Sequence, residues 1–235
     1  MDNLPKEIID HILYFTENNV AELSLVNKYF NVNAKVIRIL DNEKYPAMTD
    51  EHLKNLRNLQ RLTLFFNNKI TRISHLDGLI YLRLTGNELI TDEQLPTSLT
   101  YLDLHCNRII TDQGLLKLTN LLSLTAGMNT TDKAILQSSK LTSLHLSCGK
   151  VTNEGIANLT NLTSLSLYSN ITITDEGINK LTNLTSLDIG RSNITGKGIF
   201  PLINLQTLYV SESYVTEKDI KHLTNLTDLR GFDED

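Results

Sequence analysis

The stretch LTNLTSLSLYSNITITDEGINK, Leu159 to Lys180, decides how the chain is read. Displaced by roughly 21 residues in either direction it matches its neighbours. SKLTSLHLSCGKVTNEGIANL precedes it at Ser139 to Leu159, and NLTSLDIGRSNITGKGI follows at Asn183 to Ile199. The shared grammar is L-x-x-L-x-L-x-x-N. By the first leucine of each unit, repeats begin at Leu59, Leu79, Leu99, Leu121, Leu141, Leu162, Leu184 and Leu205, with a truncated one at Leu226.

This grammar resembles the leucine-rich repeat, whose units span about 20–29 residues. The spacing predicts a short strand around the second leucine of each unit, such as Leu62, Leu82 and Leu102. Leucines one, four and six then point inward and stack. In repeat four the sixth place is Ala126, which predicts a thinner or bent array there. The ninth place is Asn67, Asn87, Asn107, Asn129 and Asn170 in five repeats, where an amide can satisfy the turn leaving the strand. Gly149, Ser192 and Ser213 take that place in repeats five, seven and eight, which predicts less well tied turns. Thr91, Thr111, Thr152, Thr174 and Thr216 each precede acidic or amide residues, a helix-start pattern. Short helices should follow, with Leu115, Ile156, Ile178, Ile199 and Ile220 facing in. The fold class is therefore α/β, a solenoid with a parallel concave sheet and short convex helices, over residues 59–235. Residues 37–58 are transitional; Thr49-Asp50-Glu51-His52-Leu53 matches the later TDEGI, so a degenerate repeat starts near Ile37.

Composition fits a repeat array. The chain has 235 residues, and each unit of such an array touches only its neighbours. Aromatics are 6% and Trp is absent, so the core must be aliphatic. Net charge is −5, which points away from a nucleic-acid partner. Two cysteines, Cys106 and Cys148, make no disulfide framework. The start MDNLPKEIID reads neither as a signal peptide nor as a membrane anchor. The N-x-T triplets, among them Asn161–Thr163 and Asn183–Thr185, read as by-products of the repeat consensus. The expectation is a cytoplasmic or nuclear protein, monomeric on its own, with reduced thiols and no membrane partner.

Residues 1–36 depart from the repeat. Pro5 suits a first helical turn. Ile8, Ile9, Ile12, Leu13 and Phe15 recur at helical spacing, and Val20, Leu23, Val26 and Phe30 begin a second run. Leu4-Pro5, Glu7-Ile8, Ile12-Leu13, Val20-x-x-Leu23 and Val26-Asn-Lys28-Tyr-Phe30 resemble the F-box, anchor by anchor. In that family the motif docks on the Skp-type adaptor of a cullin–RING ubiquitin ligase. The resemblance implies adaptor contacts at Leu4, Pro5, Ile8, Ile12 and Leu13, supported by Leu23, Val26 and Tyr29. With the repeats, it implies a non-catalytic substrate receptor of a Skp–cullin–F-box ligase. The alternative is that these helices only cap the repeat stack of a ligase-independent scaffold. Short, uniform repeats behind a minimal F-box would suit a large DNA virus or an intracellular bacterium acting in its host's cytosol.

In a strand, alternate side chains face opposite ways. Positions three, five and seven of each unit therefore look outward, with position eight at the rim. Arg61, Thr63, Phe65, Phe66, Tyr81, Arg83, Thr85, Tyr101, Asp103, His105 and Cys106 fall there in repeats one to three. Repeats four to six are plainer, with Ser123, Thr125, Gly127, Ser143, His145, Ser164, Ser166 and Tyr168. Asp188 and Arg191 follow in repeat seven, Tyr209 and Glu212 in repeat eight. Tyr and Arg are enriched at binding hot spots, so the expected partner-binding patch is Phe65, Phe66, Tyr81, Arg83, Tyr101 and His105. The rings could instead serve only as cross-strand stacks. His105, Cys106, His145 and Cys148 are too widely spaced by strand separation to share a metal, so no metal and no cofactor are expected. No catalytic triad, phosphate loop or carboxylate pair is readable, and no enzyme is expected.

Overall fold

The computed structural model describes residues 39–43, 48–67, 69–147 and 150–232. The F-box-like segment and Cys148 lie outside them. The chain forms two compact units, one ending at Ile109 and the other starting at Ile110.

In the first unit, β1 (Ile39–Asp41), β2 (Arg61–Thr63), β3 (Tyr81–Arg83) and β4 (Tyr101–Asp103) pair in chain order, all parallel. The strand of the degenerate repeat, illegible in the sequence, is β1. A four-residue helix, Asp50–Leu53, follows it, with Thr49 as N-cap. In the second unit, β5 (Ser123–Thr125), β6 (Ser143–His145), β7 (Ser164–Ser166), β8 (Ser186–Asp188), β9 (Thr207–Tyr209) and β10 (Asp228–Arg230) pair in the same way. Helices of four or five residues alternate with them: Asp112–Leu115, Asp132–Leu136, Asn153–Ile156, Asp175–Ile178, Gly196–Ile199 and Glu217–Ile220. Repeat two carries only a 3-10 turn, Asp92–Gln94. The fold is a leucine-rich-repeat solenoid.

The core is the leucine register predicted from the sequence. Leu59, Leu62 and Leu64 are fully buried, as are Leu79, Leu82 and Leu84. Leu159, Leu162, Leu165, Leu167, Ile173 and Ile178 form the buried set of one unit. Such side chains contribute about 1.5–3 kcal/mol each. That is too little to offset about 1–2 kcal/mol for ordering every residue of a unit, so a unit depends on its neighbours. Ala126 keeps its place in the core, fully buried. The helix residues Leu115, Ile156, Ile178, Ile199 and Ile220 also face in.

The asparagine reading holds for four of its five positions. Asn67 Oδ1 accepts the N–H groups of Lys69 and Ile70, and Asn170 Oδ1 those of Thr172 and Ile173. In Asn87, Asn107 and Asn170 the other half of the amide bonds backward to the preceding repeat: Asn87 Nδ2 donates to Asn67 O at 3.2 Å, Asn107 Nδ2 to Asn87 O at 2.8 Å, and Asn170 Nδ2 to Leu146 O at 2.8 Å. Repeat four differs. Thr130, not Asn129, is the fully buried residue, and its hydroxyl accepts the Gly127 N–H. The chain there runs only four residues from Ala126 to Thr130 before the helix cap, so the turn is shorter and one hydroxyl suffices. Ser192 and Ser213 accept N–H groups of their own turns at 3.4 and 3.3 Å. In repeat seven the backward bond comes from the next residue, Asn193, whose Nδ2 donates to Ile171 O.

The Thr-Asp pairs do more than start helices. Thr111 and Thr152 cap as expected, and Thr195 does so too, each accepting an N–H two residues on, whereas Thr91 and Thr174 precede their helical turns without a side-chain cap bond. The aspartate reaches across to the next repeat. Asp112 accepts both the N–H and the hydroxyl of Thr131, and Asp132 those of Thr152. Asp175 does so for Thr195, and Asp50 for Thr71. Gly196 interrupts this series. Asp219 lies in its place, so that a Cβ at Gly196 would sit 2.3 Å from the carboxylate carbon, and Asp219 caps Thr216 of its own helix. The N-x-T triplets also have a structural job. Asn161, Asn183 and Asn225 donate to carbonyls of Ser139, Thr160 and Ile203 one repeat back. Thr163 and Thr185 hydroxyls donate to Thr142 O and Thr163 O.

Candidate binding face

In the first unit, strand register fixes which outward side chains meet. Ile39, Arg61, Tyr81 and Tyr101 are aligned across four strands, and Asp41, Thr63, Arg83 and Asp103 form the adjacent row. The Tyr81 and Tyr101 rings are stacked, with centroids 4.1 Å apart and planes 8° from parallel. The Arg61 guanidinium lies over the other side of Tyr81, 4.1 Å from its centroid. The cross-strand stack weighed from sequence is therefore present. The rings remain half-exposed, so stacking leaves an accessible surface.

Arg83 Nε donates to Asp103 Oδ2 at 3.0 Å. Asp103 was expected to face out but is buried, because it ties down its own turn as well: its Oδ1 accepts the His105 N–H. Thr85, also expected outward, is buried at 5% exposure. Burial opposes the charge on Arg83, but Asp103 beside it outweighs this and raises the guanidinium pKa. The Tyr101 phenol is pushed up to about 12, first by burial and then by its hydrogen bond with Tyr81, so it stays neutral at physiological pH.

Phe65 and Phe66 lie at the rim, edge to face with centroids 4.6 Å apart. Asn42 pins Phe65 by accepting its N–H and donating to its carbonyl. Phe66 has φ 44° and is exposed at 63%. Its ring lies on Gly86 of the next repeat, where a Cβ would come within 2.2 Å of it. His105 and Cys106 are exposed on the turn after β4. The structure thus brings Tyr81, Tyr101 and Arg83 onto one strand face and sets Phe65, Phe66 and His105 along its edge. Arg61 was visible as an outward residue but was left out of the expected patch. Its signal was its alignment with Tyr81, one repeat on.

The second unit presents a different surface. Ser123, Ser143, Ser164, Ser186 and Thr207 are aligned on five neighbouring strands. Apart from His145 on β6, aromatic and charged groups return from Tyr168, just after β7, onward. Tyr168 lies over Gly190, 3.0 Å from where a Cβ would be, and Arg191 sits 5.9 Å from the Tyr168 ring while pairing with Glu212. Arg230 pairs with Asp228 and lies 5.3 Å from the Tyr209 ring.

Among the described residues no group of three or more His, Cys, Asp or Glu is arranged to hold a metal ion. No described helix is long and apolar enough to cross a membrane. The eight residues expected to contact an adaptor, Leu4 to Tyr29, fall outside the described residues.

A leucine-rich-repeat family model matches residues 96–118, 137–159, 158–181 and 180–202. No curated protein matches the chain. Among solved structures, an internalin of Listeria monocytogenes, InlF, aligns at 25% identity with a TM-score of 0.60, over 78% of this chain and 57% of that one. A chain from the structure of the yeast Rad7 and Elc1 complex aligns at 23% identity and TM-score 0.68, over 89% of this chain and 64% of that one. A leucine-rich-repeat protein of Leptospira interrogans aligns at 23% and 0.60, over 91% and 57%. The chain thus spans less than two thirds of each of these proteins. It is built of leucine-rich repeats, in sequence and in fold.

Proposed function

We propose that the chain is a protein-binding scaffold whose sheet face at residues 61–105 holds a partner, and that it serves as the substrate-recognition subunit of a Skp–cullin–F-box ubiquitin ligase. The observation that carries the binding reading is the Arg61–Tyr81–Tyr101 stack, a planar surface of hot-spot residue types held rigid by strand register. The ligase reading rests on the Leu4–Phe30 motif. A fold shared with a chain of the Rad7 and Elc1 complex is compatible with it, at an identity that speaks for fold alone. The role is non-catalytic. The F-box holds the adaptor and the sheet face holds a target, so that other subunits act on target lysines at high effective concentration.

Pull-down of a purified Skp-type adaptor tests this directly. The native chain should capture it, and a Leu4→Ala, Pro5→Ala variant should not. No capture by the native chain overturns the ligase reading and favours a ligase-independent scaffold.

A further inference from the structure

Four arginines stand on outward strand faces of the two units or at strand ends: Arg61, Arg83, Arg191 and Arg230. Three have a carboxylate within the chain. Arg83 pairs with Asp103, Arg191 with Glu212, and Arg230 with Asp228. Arg61 has none among the described residues. The residue is exposed, and its guanidinium carbon instead lies over the Tyr81 ring, 4.1 Å from the centroid. Stacking uses the π face of a guanidinium and leaves its in-plane N–H fork available, the geometry that matches a carboxylate bidentately. Its neighbour across the strand pair, Ile39, is exposed at 64%, and Phe65 and Phe66 are exposed at the rim of the same face. An anion received there would have apolar surface beside it.

We infer that Arg61 is the charge-reading residue of this face, and that its occupant is an unmodified acidic segment of a partner protein, an Asp or Glu side chain next to an aliphatic or aromatic one. The carboxylate takes the Arg61 fork, and the apolar neighbour lies against Ile39 or the Phe65–Phe66 edge. The Tyr81–Tyr101 stack fixes the arginine in advance, so little side-chain freedom is lost when the acid arrives. This rests on the proposal that residues 61–105 bind a partner.

The test uses the full chain and a displayed library of random 12-residue peptides. Selected peptides should be enriched in Asp or Glu adjacent to an apolar residue. Synthetic versions should bind at least tenfold more weakly when that acid is changed to its amide, and at least tenfold more weakly to Arg61→Gln. Arg61→Lys, which keeps charge without the fork, should recover only part of the affinity. Arg61 is exposed, so its variants should unfold at the native temperature. Peptides without acidic enrichment, or binding indifferent to Arg61→Gln, overturn the inference. If a Tyr81→Ala, Tyr101→Ala variant abolishes binding while Arg61→Gln does not, the face binds a partner but the acidic class is wrong. If neither variant matters, the reading of the face fails with it. A phosphoserine peptide bound tenfold better than its glutamate counterpart would reassign the occupant to a modified segment.

Discussion

The two units carry the same leucine register and present opposite surfaces. Leu62, Leu82 and Leu102 in one, and Leu144, Leu165 and Leu187 in the other, are all essentially removed from solvent. One residue before each of these leucines, the first unit has Arg61, Tyr81 and Tyr101, and the second has Ser143, Ser164 and Ser186. The backbone treats the two rows alike, since both are aligned by the same parallel pairing. The strand therefore imposes no chemistry on its outward side. A large planar residue there is a departure from what the scaffold requires, and such departures are where recognition is to be sought.

The comparison is broken most strongly by attacking what is shared. Leu82→Ala and Leu165→Ala should each destabilise by about 2–5 kcal/mol, because both leave a cavity in a closed core. Chemical denaturation measures this; a loss in only one unit would mean that the cores are not equivalent. Asn87→Ala should cost about 1–3 kcal/mol, since it strands the buried N–H of Ile90 and the half-buried one of Leu89. Ser192→Ala removes a smaller set confined to its own turn and should cost about 0.5–1.5 kcal/mol. Equal losses would show that the backward amide bond adds nothing.

The outward rows should separate in both stability and binding. Breaking the Tyr81–Tyr101 stack with Tyr101→Ala should cost about 0.5–1.5 kcal/mol beyond lost area and abolish partner capture when combined with Tyr81→Ala. Ser143→Ala with Ser164→Ala should leave stability within about 0.5 kcal/mol and capture unchanged. Capture lost with the serines would place the binding face in the second unit.

The smallest effect is set by pH, at His52 in the first unit. His52 is 5% exposed and its Nδ1 accepts the Thr49 N–H, completing the cap of the Asp50–Leu53 helix. Burial, the dominant cause, lowers its pKa below the ordinary 6.5, against smaller opposing pulls from the Thr49 backbone and from Glu51. A histidine with a lowered folded pKa binds fewer protons folded than unfolded in the window just below 6.5. Its stabilising contribution is thus full above that value and is lost as pH falls through it towards the folded pKa. Thermal melts of native and His52→Gln chains from pH 8 to 5 should diverge below pH 6.5, with the native chain falling more. Parallel curves would remove His52 as the cause.

Much of the fold was legible because it is written locally. Period, strand centres and inward leucines follow from spacing alone. The pairing of Asn with the turn was legible at Asn67 and Asn170, and misled at Asn129, where a shortened turn moved Thr130 into the buried place. The candidate face was legible as a list of types. Its organisation was not: Asp103 looked like one more outward residue and is buried beneath Arg83, and Arg61 looked like a solvated charge and lies on Tyr81.

The sequence by itself determined the repeat, its register and the aliphatic core, since hydrophobic period and chain geometry act within a single unit. Only the tertiary structure decided which polar groups meet between units. Asp50, Asp112, Asp132 and Asp175 of the Thr-Asp pairs read as helix starts within their own repeats and become clasps on the threonine some twenty residues later. At Gly196 the same position is empty of a side chain, and Asp219 moves in. Hydrogen bonds and stacks depend on distances of about 3–4 Å, and those are set by how neighbouring turns stack rather than by any residue's own type.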